Sequence, residues 1–301
     1  MRNLRFCYLL ATGLLIFQGL SIGQMADFSR VPNLYEGDSL GIVTLIKNGI
    51  EIKKGKAVCW FPKDSLSEER MREIADTMSI GITAVEKFIK APLPWQIFPI
   101  TTVYTFYFRD EFFISHASLA GFVSVPFWRI KTGKSPWLHE ILHDMLFNKG
   151  GNWWQKDLAE EYFMKNMPLW ISEGLPDYIS LEVSRQNKLP RFDVFSFSNS
   201  LNVDSMFLQD MKSEKSEYII SYIGGRGVIP ELSSKDRQQY APCFYHGSCS
   251  FVQFIANRYG LEVLLNAISS FQKEHDVIET QTGKSISELK KDWLQQLNAS
   301  Q

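Results

Sequence analysis

The sequence predicts an α+β protein, and three observations carry that expectation. Short segments rich in Thr, Val, Ile, Tyr and Phe lie before residue 131, whereas the residues beyond it follow helical periodicity. Strands first and helices second is the order of segregated layers, unlike the alternation of a parallel α/β fold. The third observation is bulk composition: 301 residues, 45% hydrophobic and 22% charged, with 12 prolines and 19 glycines. Such a chain can bury a sizeable core, which excludes disorder over most of its length. No internal repeat, low-complexity tract or Pro- or Ser-rich linker divides it. Residues 24–301 therefore read as one domain with two lobes, a sheet-bearing lobe over 24–150 and a helical lobe over 151–301.

The first element in order is expected to be removed. Arg2 and Arg5 make a short basic start, and Phe6 to Leu20 form an apolar run too short for a membrane span. Ser21 and Gly23 put small side chains before a cut after Gly23; a cut after Ala26, or an uncleaved N-terminal anchor, are the other readings. Residues 1–23 are thus expected to be an export signal and the mature chain to be periplasmic, cell-surface or secreted. Cys7 precedes the apolar run, which argues against a lipoprotein, and no later stretch is long and apolar enough to span a membrane.

In the remainder, Gly41 to Ile46 and Lys56 to Phe61 read as strands. Ser65 and Glu68 have capping-box spacing ahead of an amphipathic helix from Leu66 to Ile89, with Met71, Ile74, Met78, Ile82, Val85 and Phe88 on its apolar positions. Pro92 and Pro94 stop it. Ile100 to Phe108 reads as a central strand. Gly121 to Ile130 reads as a second extended segment, placed at a sheet edge because Pro126 cannot donate to a ladder. Helices follow, with breaks at Gly150-Gly151, Gly224-Gly225 and Gly260.

Charge and cysteines bound the partners. The 32 basic and 33 acidic residues nearly cancel, so no global field draws the chain towards nucleic acid or anionic lipid. In an oxidising compartment Cys243 and Cys249 can close a small loop and leave Cys59 unpaired; three buried thiols is the other reading.

The sharpest signal is His139-Glu140-Ile141-Leu142-His143, which fits HExxH. Ser135 can cap a helix whose first position is Pro136, where a missing amide proton costs nothing. Two histidines four apart share one helix face, so their imidazoles can converge on one Zn2+ per chain. Trp137, Leu138, Ile141, Leu142, Met145 and Leu146 cover much of the remaining circumference and predict a buried helix. Burial lets a metal lower the pKa of its bound water to near 7, and Glu140 can then take a proton from that water as general base. A buried helix with two hydrogen-bonded histidines is the plain alternative.

A catalytic zinc needs a third protein ligand and an open position. The best candidate is Glu173, in the segment Trp170-Ile171-Ser172-Glu173-Gly174-Leu175-Pro176-Asp177-Tyr178, with Ser172 as expected cap. Asp177 falls on the same face, where it can accept a hydrogen bond from the outward nitrogen of a ligating histidine.

The helix with HExxH followed by Trp-x-x-Glu-Gly-x-x-x-Tyr resembles the gluzincin zinc metallopeptidases, and most of all the compact group called the peptidase MA-like family. The resemblance covers residues 56–297, with specific motifs in three places. It implies a thermolysin-like zincin architecture: a mixed sheet whose edge strand packs on the HExxH helix, then a mainly helical lobe. It assigns zinc ligation to His139, His143 and Glu173 and the general base to Glu140. Tyr245, in the stretch that runs through Phe251-Val252 to Asn257-Arg258-Tyr259-Gly260, is similar to that family's tyrosine-bearing helix, and Thr282 to Leu289 with Asp292-Trp293 to its last helix. Tyr245 is by this resemblance the donor for the developing oxyanion, with His246 as runner-up.

Three departures from the family pattern stand out. The gap from His143 to Glu173 is long and contains Glu160 and Glu161 as rival ligands. Pro176 stands where the family usually has alanine; it suits a first turn but would kink a longer helix and displace Asp177. Asp144 follows His143 directly but points away from the ligand face. His116 and His275 have no partner at metal spacing and read as structural or exposed. By order along the chain, Gly121 to Ile130 would pair with an extended peptide, with Phe122, Phe127 and Trp128 lining an apolar subsite. It holds no acidic residue to anchor a free amine, which argues against an aminopeptidase.

The expected function is therefore an exported zinc-dependent peptidase acting on a peptide or protein substrate. A secreted binding protein on an inactive peptidase scaffold, or a metal-dependent hydrolase of another substrate, are the competing readings.

Overall fold

The computed structural model describes residues 36–91, 103–110, 116–117, 121–132, 135–147, 168–189, 202–212, 216–225, 234–269 and 274–299. It is an α+β protein with one small mixed sheet and mostly helical content. Residues 1–23, expected to be an export signal, and Pro92, Pro94, the glycine pair at 150–151 and the expected rival acids Glu160 and Glu161 lie outside the described residues.

Among the described residues the first element is a helix, α1 (Glu36–Asn48), where a strand is expected over Gly41 to Ile46. The reason is spacing: Ile42, Leu45 and Ile46 are buried while Val43 between them is exposed, a helical face that the apolar run conceals. Strands β1 (Ile50–Lys54) and β2 (Ala57–Phe61) then form an antiparallel hairpin. Gly55 turns it with φ +48, and the Lys56 amide donates to Ser79 Oγ at 3.2 Å, which pins the hairpin to the next helix.

That helix, α2 (Glu68–Phe88), buries Met71, Ile74, Met78, Ile82 and Val85 as its periodicity predicts. Its cap is Ser67, whose side chain accepts from the Arg70 amide at 3.2 Å. Ser65, the expected cap, donates instead to the Pro62 carbonyl at 2.6 Å in the preceding turn.

Strand β3 (Tyr104–Arg109) is the middle of the sheet, flanked by β2 and by β5 (Phe122–Pro126), both parallel to it. The outer strand is β4 (His116–Ala117), antiparallel to β5. The segment from Gly121 is therefore second from the edge, and its strand ends at Pro126. Residues Phe127–Lys131 form a short helix, α3. Proline ends the ladder there because it supplies no amide proton and its fixed φ suits the entry to a helix.

Alternation along the strands separates two faces. Cys59, Phe61, Phe106 and Phe108 join the main core under α2 and α4 (Trp137–Phe147), whereas Trp60, Tyr107 and Phe122 meet α1 in a smaller cluster. Phe122 is thus half-buried against Tyr107, and Phe127 is buried against Phe61 and Phe108; of the three aromatic residues expected at a subsite only Trp128 is exposed.

The remaining helices are α5 (Leu169–Asn187), α6 (Val203–Asp210), α7 (Ser216–Tyr222), α8 (Ser234–Tyr259), α9 (Leu261–Ser269), α10 (Glu274–Thr282) and α11 (Ile286–Ala299). Gly224 and Gly260, with φ +77 and +94, break the chain where the sequence places breaks. Helix α5 is central, packed on α2, α4 and α8. Trp170 on it is fully buried, stacks obliquely on Phe251 at 4.9 Å and donates to His275 at 3.3 Å, which gives His275 a structural place. Asp204, Ser250 and Trp293 form a hydrogen-bonded chain tying α6, α8 and α11 together. Cys243 and Cys249 lie on α8 itself, both free and buried, so the loop that a disulfide would close is a continuous helix.

Candidate metal centre

Helix α4 is short but enclosed on nearly every side. Trp137 packs edge-on against Phe106 of the sheet at 5.9 Å. On α2, Gly81 makes room for the same indole, since a Cβ there would come within 2.4 Å of it. The helix begins one residue later than the cap pattern predicts: the Pro136 carbonyl accepts the Glu140 amide at 3.0 Å, and the Ser135 hydroxyl is buried without a hydrogen-bond partner among the described residues. Asp144 turns away from the histidine face towards Tyr104 on β3, whose hydroxyl proton is held more firmly than usual by burial and then by the Asp144 charge.

On the opposite face, His139 and His143 direct Nε2 atoms at each other 2.9 Å apart. Glu173 Oε2 lies 3.4 Å from the first and 3.7 Å from the second. A point equidistant from all three atoms is about 2.0 Å from each, the length of Zn–N and Zn–O bonds. With both Nε2 atoms unprotonated, two lone pairs and a carboxylate aimed at one point repel unless a metal ion or a shared proton sits among them. An N2O set of this size suits Zn2+, so these residues fit the group that the motif implies. His139 is only 6% exposed, but His143 and Glu173 keep 28% and 18%, which leaves one side of the triangle open to a substrate.

Glu173 and Asp177 come from α5, which starts at Leu169 with Pro168 as its cap. Ser172 is therefore inside the first turn instead of capping it, and Pro176 lies in the helix interior, where it cannot donate to the Ser172 carbonyl. Asp177 is nevertheless not displaced: its Oδ1 lies 2.7 Å from His139 Nδ1. That bond makes Nδ1 the protonated nitrogen and leaves the Nε2 lone pair for a metal.

Helix α8 completes the arrangement. Tyr245 donates its hydroxyl to Glu173, and its proton is held more firmly than usual by burial and then by the nearby Glu173, Asp177 and Glu140 carboxylates. The approach depends on Gly174, where a Cβ would come 2.6 Å from the Ser248 carbonyl oxygen. The Gly of the Glu-Gly pair thus lets the two helices touch and brings Tyr245 to its neighbour. His246, the runner-up donor, faces the other way and bonds Asp210 on α6 at 2.6 Å.

Electrostatics divide the acids. Burial pushes Glu140 upward, a shift that the two histidines oppose and Glu173 reinforces. Burial acts the same way on Glu173, but the charge of His143 and hydrogen bonds from both histidines overcome it and hold that carboxyl well below its ordinary range. For His139 burial favours the neutral ring, and Asp177 and Glu173 outweigh it, raising the pKa well above the usual histidine value. One neighbour carries no motif signature: Arg129 on α3, whose charge and that of Glu140 are felt by each other.

No family model matches the sequence, and no curated protein matches it. Among solved structures, the chain is similar to a glutamate-to-alanine variant of a two-domain M1 zinc metallopeptidase bound to L-tryptophan, at 14% identity and a TM-score of 0.39. The match covers 81% of this chain and 50% of that one, so the chain spans about half the length of that peptidase. Likeness of that degree leaves the chemistry to be judged from the side chains.

Proposed function

We propose that the protein is an exported zinc metallopeptidase of gluzincin type, in which residues 24–301 form one thermolysin-like catalytic unit and residues 1–23 direct export. The observation that carries the reading is the triangle of His139 Nε2, His143 Nε2 and Glu173 Oε2, with edges of 2.9, 3.4 and 3.7 Å, beside a buried Glu140. When bound there, zinc supplies a Lewis acid for the attacked carbonyl and acidifies the attacking water.

The chain's own groups do the rest. Glu140, raised by burial, is better matched to neutral pH than a surface carboxylate; it takes the proton of the attacking water and passes it to the leaving amine. Asp177 holds His139 in the tautomer that presents Nε2. Tyr245, its phenol kept protonated, turns its O–H from Glu173 to the oxygen on which charge develops. The substrate is a peptide bond on an extended chain.

Metal analysis and peptide cleavage test the reading together. One zinc per chain is expected, lost in H139A and E173A and retained in E140Q, with cleavage abolished by chelator and by E140Q. Full zinc in E173A removes the third ligand, cleavage by E140Q removes the base, and zinc without cleavage makes the protein a metal-holding scaffold.

A further inference from the structure

We propose that Asp210 and His246 form a positioning pair that fixes the rotation of α8 about its axis and so holds the Tyr245 hydroxyl at the metal centre. The inference rests on the peptidase reading above, in which Tyr245 donates to the developing oxyanion, and adds the residues that keep that donor in place.

The turn that carries Tyr245 is poorly held by its own helix. Pro242 lies inside α8, within one turn of Tyr245, and cannot donate a backbone hydrogen bond there. Gly247 follows Tyr245 by two residues, and a glycine inside a helix weakens it relative to alanine. A Cβ on Gly247 would come 2.3 Å from Ile223 Cδ1 and 2.6 Å from Phe207 Cε2, so α8 lies close against both. On another side Ser248 meets Gly174 of α5 as closely. These contacts bring the helices together, but none of them is directional. A turn of about 10° moves a side-chain end about 6 Å from the helix axis by about 1 Å. Misplacement of that size costs on the order of 100-fold in rate.

Direction comes from the face of α8 that meets α6. The His246 ring, 4% exposed, places Nδ1 2.6 Å from Oδ2 of Asp210, the last residue of α6. Four residues on, and therefore on the same face, the Ser250 hydroxyl donates at 2.5 Å to Oδ1 of Asp204 in the first turn of α6. Two hydrogen bonds one turn apart, both to the same neighbouring helix, set the rotation and the axial register of α8 together. The histidine bond is the one that adjoins Tyr245. A carboxylate accepting from a buried ring N–H makes a charge-assisted bond, short and directional. Tyr245 and His246 are consecutive, about 100° apart around the helix, so the ring that bonds α6 and the phenol that meets Glu173 swing as one body.

The experiment compares zinc-loaded wild type, H246L, D210A and H246N, each with and without Y245F. Cleavage is measured on a pool of N-acetylated randomised hexapeptides and then on one peptide that the wild type cleaves. H246L and D210A are expected to lower kcat by about 10- to 100-fold, with KM and zinc affinity by chelator competition unchanged. The H246L/D210A double is expected to be no worse than either single, because both remove the same bond. H246N is expected to recover most of the loss, since its side-chain amide N–H replaces Nδ1–H. With Y245F present, the same substitutions should change kcat by less than about twofold, because no hydroxyl is left to place. Fluorine NMR of protein carrying fluorotyrosine at position 245, metal-free and zinc-loaded, reads the placement without turnover. That resonance should shift in H246L and D210A and return in H246N.

Equal losses of kcat with and without Y245F, or a position-245 resonance unmoved in H246L and D210A, overturn the positioning role and leave the peptidase reading standing. Zinc affinity that falls in step with kcat also overturns it, by making the pair a general support of the fold. If H246L does not fold, D210A and H246N carry the same comparison. Zinc-loaded wild type that cleaves no peptide defeats both readings.

Discussion

At the scale of single residues, Asp177 has two opposing effects on metal capture. Its bond to His139 fixes the ring and frees Nε2, yet the same negative charge helps to raise the His139 pKa, so a proton competes more strongly for the nitrogen that the metal needs. A proton must leave His139 for metal to bind. Zinc affinity, measured by competition with a chelator, should therefore keep rising with pH beyond the ordinary histidine pKa, by up to about tenfold per pH unit until the raised value is passed. D177N should lower affinity by about 10- to 100-fold at neutral pH, because the loss of orientation outweighs the weaker competition. For metal-free protein the sign reverses. The raised His139 pKa contributes stability that is complete below the ordinary histidine pKa and lost as pH rises through the raised one. The depressed Glu173 pKa contributes stability present above the ordinary carboxylate range and lost as pH falls through its folded value. Denaturation of the chelated protein across pH should thus show both increments in full between the ordinary carboxylate range and the ordinary histidine pKa, with the His139 increment falling away from there to its raised value. Y245F should retain zinc and KM while kcat drops by about 10²- to 10³-fold, as for loss of one oxyanion donor.

At the scale of elements, the site is a meeting of three helices, and small residues set how close they come. Adding one methyl at Gly174 would drive α5 against the α8 backbone at Ser248. G174A should cost about 1–3 kcal/mol, read as a fall in Tm of several degrees, and should lower turnover by drawing Tyr245 away from Glu173. This is also the scale at which the sequence was least legible. The HExxH pair and Glu173 could be read because metal geometry imposes spacing within a helix and a donor type beyond it. The helix carrying Trp170, Glu173 and Asp177 could be recognised, but not its start: Ser172 and Pro176 both resemble boundary residues, and tertiary packing extends the helix back to Leu169. Gly41 to Ile46 misled because a short apolar run has no visible period until its exposed position, Val43, is known. Arg129 left no mark in the sequence, since its relation to Glu140 exists only after β5 and α4 are packed.

At the scale of the whole molecule, a metal that binds only the folded state becomes part of its stability. Zinc at a thousandfold excess over its dissociation constant should add about 4 kcal/mol and raise Tm by roughly 8 °C or more, and H139A should abolish the increment. Calorimetry with and without chelator checks this. The long stretch between the two ligand-bearing helices bears on the same balance. The contact of His139 with Asp177 joins residues 38 apart in the chain and fixes both ends of everything between them. Entropy charges for such a closure by the logarithm of its length, about 0.6 kcal/mol for each doubling. With its ends fixed at α4 and α5, a change of a few residues in the intervening length alters that closure term by only a small fraction of a kcal/mol. Deletions within the spacer should therefore leave zinc stoichiometry untouched, which metal analysis of the shortened chains checks.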